Sequence, residues 1–236
     1  MPARRARPGR ARRGRDPLAW GRAVLAAEAG AIARLRLGAS FATAVRWILA
    51  CAGRVVVTGM GKPGFVAQKI SATLASTGTP SLFVHPADAA HGDLGRIARD
   101  DIVLALSNSG ETEEILRLLP ALRRIGARVV ALTRDRHNPL ARGAHLVVPL
   151  GPVEEACPLG LAPTASTTAA LALGDALAMA LVEKRGFTVD DFAVLHPGGR
   201  LGRKLLRVED AMHAGDGVPR VAPETKMKDV LFEMTR

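Results

Sequence analysis

Short aliphatic runs alternate along this chain with longer stretches of helical spacing. Residues 54–58 read Arg-Val-Val-Val-Thr and stop at Gly59. A short β-branched run closed by glycine predicts a buried strand. Four further runs, at residues 81–84, 101–106, 128–133 and 145–149, repeat the signal. Helical spacing fills the gaps, over residues 65–76, from the polar loop after the third run to about Ile125, and from about Thr164 to Arg185. Upstream, Val24, Leu25, Ile32, Leu35 and Leu37, then Val45, Ile48 and Leu49, predict two more helices. Gly38 divides them, and Ser40 is the expected cap of the second. Strands that alternate with helices imply right-handed crossovers, so the expected fold is α/β, a five-stranded parallel sheet sandwiched by helices. Ligands of such sheets bind beyond the carboxyl ends of the strands. Two polar loops fall there, residues 59–64 after the first strand and 107–112 after the third.

Composition sharpens this picture. Aromatic residues make up 3% of the chain and tyrosine is absent, so the core has to be built from Ala, Leu, Val and Ile. The formal charge of +11 suggests a nucleic-acid partner until its distribution is read. Arg4, Arg5, Arg7, Arg10, Arg12, Arg13 and Arg15 supply seven of those charges, and the remainder of the chain carries +4. This arm, residues 1–16, has too few apolar residues to fold alone and no aromatic side chain to stack on a base. It is expected to be disordered, with neither nucleic acid nor membrane as partner. Cys51 and Cys157 form no CxxC pair and no disulfide framework, a pattern that fits a reducing cytoplasm. The longest apolar stretch, residues 165–182, is broken by Asp175 and reads as a buried helix. After Gly202 the chain changes character. The expected layout is the arm, a main α/β domain over 17–202, and a linker with part of another module over 203–236.

The chemistry concentrates in Ser107-Asn-Ser-Gly-Glu-Thr112. Small hydroxyls, a glycine and free amides at a helix start form a cradle for an anion. The loop lacks the spacing of a Walker A motif. Gly59, Gly61 and Gly64 imitate a dinucleotide fingerprint, but no acidic residue closes the second strand, so no redox cofactor is expected. No metal site is expected either.

Taken in order, Gly59-Met-Gly-Lys62, Ser76-Thr-Gly-Thr-Pro80, His85-Pro86, Ala90-His-Gly-Asp-Leu94, Ser107-Asn-Ser-Gly-Glu111, Glu155-Ala-Cys-Pro-Leu-Gly-Leu-Ala-Pro-Thr164 and His196-Pro-Gly-Gly199 resemble the arabinose 5-phosphate isomerases, which are sugar isomerase (SIS) domain proteins. The resemblance covers residues 24–213. It implies a five-stranded, flavodoxin-like sheet followed by a pair of CBS modules, and a tetramer with sites between subunits. The tail from about Val208 is similar to the start of a first CBS module, with the rest outside this sequence. Matched residue by residue, it implies catalytic roles for Lys62, Glu114, Glu155 and His196. It further implies substrate or phosphate contacts at Gly61, His91, Ser107, Asn108, Ser109, Glu111, Thr112, Ser166 and Thr167. Two departures stand out: Pro63 where many relatives have Ser, and Phe65 where a His is frequent.

The reaction so implied is aldose–ketose isomerisation through an enediol. It needs a carbon base, a stabiliser for the developing oxyanion and a way to open the sugar ring. The expected assignments are Glu155 as carbon base, Lys62 as electrostatic stabiliser, His196 for ring opening or oxygen protonation, and Glu114 as orienting or second acid/base. By the resemblance the product serves octulosonate and lipopolysaccharide synthesis, although related enzymes also sit in sugar-alcohol operons. Two alternatives stay open: another SIS phosphosugar isomerase, or a phosphosugar-sensing regulatory domain without catalysis.

Overall fold

The computed structural model describes residues 16–198 and 208–235. The expected arginine arm lies outside the described residues, apart from Asp16. That residue caps the first helix, α1 (Pro17–Ala33), by accepting from the amides of Leu18 and Ala19. Helix α2 (Ala39–Leu49) has Gly38, in an extended conformation, as its N-cap. Ser40, the expected cap, instead lies in the first turn, where its Oγ accepts from Arg136.

The strands are β1 (Val55–Gly59), β2 (Ser81–Phe83), β3 (Ile102–Leu106), β4 (Arg128–Thr133) and β5 (Leu146–Pro149). All pairings are parallel, in the order β2-β1-β3-β4-β5. This is the doubly wound order of the flavodoxin type, whose direction reverses between β1 and β3. Side chains alternate between two cores. Val55, Val57, Ile102, Leu104, Leu106, Val130 and Leu132 face one side. Val56, Val103, Ala105, Val129 and Ala131 face the other. Burial on both faces explains why each strand reads as an unbroken aliphatic run.

Helices α2, α3 (Lys62–Ser76) and α7 (Ala165–Arg185) cover the first face. Helices α4 (Pro86–Ala90), α5 (Glu113–Ile125) and α6 (Pro139–Gly143) cover the second. Helix α7 is long and apolar enough to cross a membrane by length and composition. Here it packs against α1, α2 and α3, burying Ala169, Leu173, Leu177 and Leu181. Each fully buried Leu or Val contributes roughly 1.5–3 kcal/mol of transfer free energy.

Two compact units are present. The first runs to Phe187 and contains the sheet; the second begins at Thr188. In the second, α8 (Val189–Leu195) opens with a capping box between Thr188 and Asp191. Short helices follow at Val208–Ala211 and Met227–Thr235.

Candidate active site at the carboxyl edge of the sheet

Beyond the carboxyl ends of β3, β4 and β5, the starts of α3 and α7 and the loop after β3 enclose a small cavity. Pro63, Ser107, Asn108, Leu132, Ser166 and Thr167 are among its walls. The sheet order dictates this position, since the two halves of the sheet diverge at β1 and β3 and leave a crevice there.

The loop is braced from behind. Ser107 is buried, its amide donates to the Leu132 carbonyl, and its hydroxyl accepts from the Gly110 amide and pairs with Thr112 Oγ1 at 2.8 Å. The carbonyls of Asn108 and Gly110 accept from the amides of Arg134 and Leu140. Thr133 Oγ1 also donates to the Asn108 carbonyl, and Asn138 Nδ2 donates to Thr133 Oγ1 at 2.8 Å. Gly110 has φ +69°, which suits glycine. Sequence reasoning missed Thr133 and Asn138, although Asn138-Pro139 is a recognisable helix-start signal.

With its backbone secured, the loop presents two kinds of group. Ser109 is exposed and its Oγ accepts from the Glu111 amide at 3.2 Å. Asn108 Oδ1 is buried with no hydrogen-bond partner among the described residues. A buried acceptor without a partner costs about 1–3 kcal/mol, and a bound hydroxyl donor would remove that cost. Thr112 is the N-cap residue of α5, whose first amides have no intrahelical partner.

The two glutamates that begin α5 have different circumstances. Glu113 is exposed and paired with Arg117 one turn on. Glu114 is half-buried and makes no ion pair or side-chain hydrogen bond among the described residues. Lys62 is exposed at the first position of α3, following Gly61 with φ +60°, and also has no acidic partner among the described residues. The close approach of β1 to α3 depends on glycine: a Cβ on Gly64 would stand 2.7 Å from the Gly59 carbonyl oxygen. His91 is exposed at the end of α4, and its ring makes no hydrogen bond among the described residues.

Glu155 is held to the start of α7. Its Oε2 accepts from the Thr164 amide at 2.7 Å, the Thr164 hydroxyl at 3.1 Å and the Ser166 amide at 3.3 Å. Burial pushes its pKa up, but hydrogen bonds from Ser166 and Thr164 outweigh burial and hold it below the ordinary value of 4.5. Thr164 in turn accepts from the Ala156 amide, closing the loop around the carboxylate. In the same loop, amides of Ala162, Leu159, Leu161 and Gly160 draw the Cys157 thiol below its ordinary range. Ser166 is buried and Thr167 half-buried, so α7 brings both to the cavity beside Ser107 and Asn108.

His196 belongs to the second unit, at the end of α8. Its ring stacks on Phe192 at 3.8 Å, and its Nδ1 lies 2.7 Å from the Phe192 carbonyl. A carbonyl oxygen only accepts, so Nδ1 carries the proton and a neutral ring leaves Nε2 as the free acceptor.

Comparison with known proteins places this geometry in context. The chain is 57% identical to arabinose 5-phosphate isomerase KdsD of Pseudomonas aeruginosa, over 85% of this chain and 62% of that one. It is 51% identical to the Escherichia coli K12 protein of the same name, over 92% of this chain and 67% of that one. The chain thus spans 62–67% of the length of these curated relatives. The solved structure of E. coli CFT073 c3406 in complex with arabinose 5-phosphate is 43% identical, with a TM-score of 0.74 over 76% of this chain and 97% of that one. The SIS-domain signature matches residues 48–180. The chain therefore belongs to the SIS-domain family, and its relatives within that family include arabinose 5-phosphate isomerases.

Proposed function

We propose that this protein is an aldose–ketose isomerase that interconverts D-arabinose 5-phosphate and D-ribulose 5-phosphate by enediol proton transfer. The observation that carries the reading is the uncommitted polar set around the loop after β3, in a chain 57% identical to an arabinose 5-phosphate isomerase. A sensing domain needs the loop but has no use for Lys62 and Glu114, which have no charged partner among the described residues.

Ser109, Thr112 and the first amides of α5 take the phosphate, supported by Gly61 and Glu111 at the loop edges. Asn108, Ser166, Thr167 and His91 contact the sugar hydroxyls. Glu155 removes the carbon-bound proton through Oε1, the oxygen not held by Thr164 and Ser166. Its lowered pKa keeps it in the basic form at neutral pH. Lys62 stabilises the developing oxyanion, and Nε2 of His196 assists ring opening. One observation favours exchanging the two carboxylate roles: Glu155 is engaged by three donors, whereas Glu114 is free of partners among the described residues. The reading includes a cytoplasmic homotetramer, with sites shared between subunits and residues from Val208 entering a CBS module.

The test is incubation with ribulose 5-phosphate in heavy water, followed by proton NMR. Deuterium at C2 of a new aldose is the expected result. Absence of exchange into any phosphosugar of a panel would sink the isomerase reading. Exchange only with a hexose or heptose phosphate would move the activity to another SIS isomerase. Glu155→Gln should lower the exchange rate by roughly 10²–10⁴. If Glu114→Gln does so instead, the carboxylate roles are reversed.

A further inference from the structure

At the opposite edge of the sheet, the amino ends of the strands border a second, mainly polar cleft of about 310 Å³. Its walls are the end of α2 with the loop into β1, the turn before β3 and the turn between α5 and β4. Six residue steps along β3 and its flanks separate Asp101 from Ser107, roughly 20 Å at about 3.3 Å per residue. A pentose phosphate bound at the carboxyl edge is too short to span that distance.

Arg99 and Arg128 line it, and neither has an acidic partner within salt-bridge distance among the described residues. Both are positioned by their surroundings. The Arg128 guanidinium lies over the ring of Trp47, 5.2 Å from its centroid. The stem of Arg99 lies across Gly126, where a Cβ would come within 3.2 Å of Arg99 Cγ and the φ of +88° favours glycine. The nearby acids leave this charge standing. Asp101 is 4% exposed, and its two oxygens accept from the amides of Arg54 and Ala98 at 2.7 Å each, so its charge is directed into the backbone. Asp100 is exposed at the rim and pairs with neither arginine. The Cys51 thiol is occupied as a donor to the Asp100 carbonyl.

Guanidinium is a planar fork that binds phosphoryl oxygens in pairs. Two such forks, held beside one cleft with neither paired to a carboxylate among the described residues, form an anion site. We propose that this cleft is a second ligand site, distinct from the proposed substrate site, which takes a small phosphoanion between Arg99 and Arg128. The phosphoryl group has two sources, free inorganic phosphate or pyrophosphate and the phosphate of a metabolite. The proposal does not depend on the isomerase reading.

Trp47 provides the readout, because Trp20 is the other tryptophan in the chain and is removable as Trp20→Phe. The full chain carrying that change is titrated at constant ionic strength with inorganic phosphate, pyrophosphate and ribulose 5-phosphate. A saturable change in Trp47 emission is expected, with calorimetry giving the same affinity. Arg99→Ala should weaken binding about tenfold or more, by loss of charge-assisted hydrogen bonds. Arg99→Ala with Arg128→Ala should abolish it, and circular dichroism should show both variants folded, since these side chains are exposed. Ser109→Ala, at the other edge, should leave Trp47 titration unchanged. Equal affinity for phosphate and ribulose 5-phosphate assigns the site to the free ion; tighter binding of the sugar phosphate assigns it to a metabolite. A response matched by sodium chloride overturns the proposal, as does unaltered binding in the double arginine variant.

Discussion

The side-chain amide of Asn138 fills the space that a Cβ on Gly110 would require. The same amide caps α6 by accepting from the Ala141 amide at 2.9 Å, and it donates to Thr133 Oγ1, which donates to the Asn108 carbonyl. One side chain thus joins the start of α6, the end of β4 and the loop after β3.

Gly110→Ala should therefore be costly twice, by the collision with Asn138 and by a left-handed backbone at φ +69°. A loss of roughly 1–3 kcal/mol is expected from the backbone strain alone. Asn138→Ala should cost about 1–3 kcal/mol by stranding buried polar groups. Urea denaturation measures both. Substrate KM should rise with Asn138→Ala even though Asn138 touches no substrate in the proposed arrangement. A normal KM with reduced stability would show that the brace does not reach the loop.

The serines of the loop should separate by role. Ser109 is exposed toward the proposed phosphate, so Ser109→Ala should raise KM about tenfold at nearly unchanged stability. Ser107 is buried and bonded to Gly110 and Thr112, so Ser107→Ala should lower stability by roughly 1–3 kcal/mol. Steady-state kinetics and denaturation on the two variants give the comparison. A similar profile for both would contradict this division.

Glu155 predicts an acid limb. Its folded pKa is depressed below 4.5, so its contribution to stability is present above that pH. The contribution is lost as pH falls from there through the folded pKa, where protonation weakens its bonds with Thr164 and Ser166. Glu155→Gln cannot titrate and should show a shallower loss of stability across that acidic window than the parent protein. Melting temperatures measured through the window check the sign. Parallel curves would mean that the carboxylate has the same pKa folded and unfolded.

Helix α1 leaves Leu18, Leu25 and Ile32 at 69%, 69% and 42% exposure, spaced seven residues apart along one stripe. An uncovered stripe of this kind fits the proposed contact between subunits. Leu25→Asp should weaken association by roughly 2 kcal/mol or more if the side chain is an interface anchor. Sedimentation velocity should then show a smaller species with unchanged circular dichroism. An unaltered sedimentation coefficient would place the contact elsewhere.

Strand identity was legible because burial on both faces demands continuous aliphatic runs, and Val55, Val56 and Val57 satisfy that demand without reference to any neighbour. The position of the ligand loops followed as well, since a parallel sheet places every strand's carboxyl end on one edge. Helix starts were less legible: Gly38, in an extended conformation, caps α2, whereas Ser40 had the better intrinsic propensity. The same limit applies to α1, where Leu25 and Ile32 revealed the helix by periodicity yet lie outside the core of the single chain.

The residue types at the candidate site were readable from Ser107, Ser109, Glu114 and Glu155 as a linear pattern. Their commitments were not. Only tertiary structure decided that Ser107 bonds inward while Ser109 faces out, and that Glu155 is held by Thr164 and Ser166 while Glu114 is free of partners among the described residues. Nor does the sequence reveal that Arg99 and Arg128, 29 positions apart, share one cleft. Periodicity is a local property, fixed by a few bonds of backbone. Hydrogen-bond partners and charge neighbours depend on which distant segments the sheet order brings together, and that order is set by packing across the whole domain.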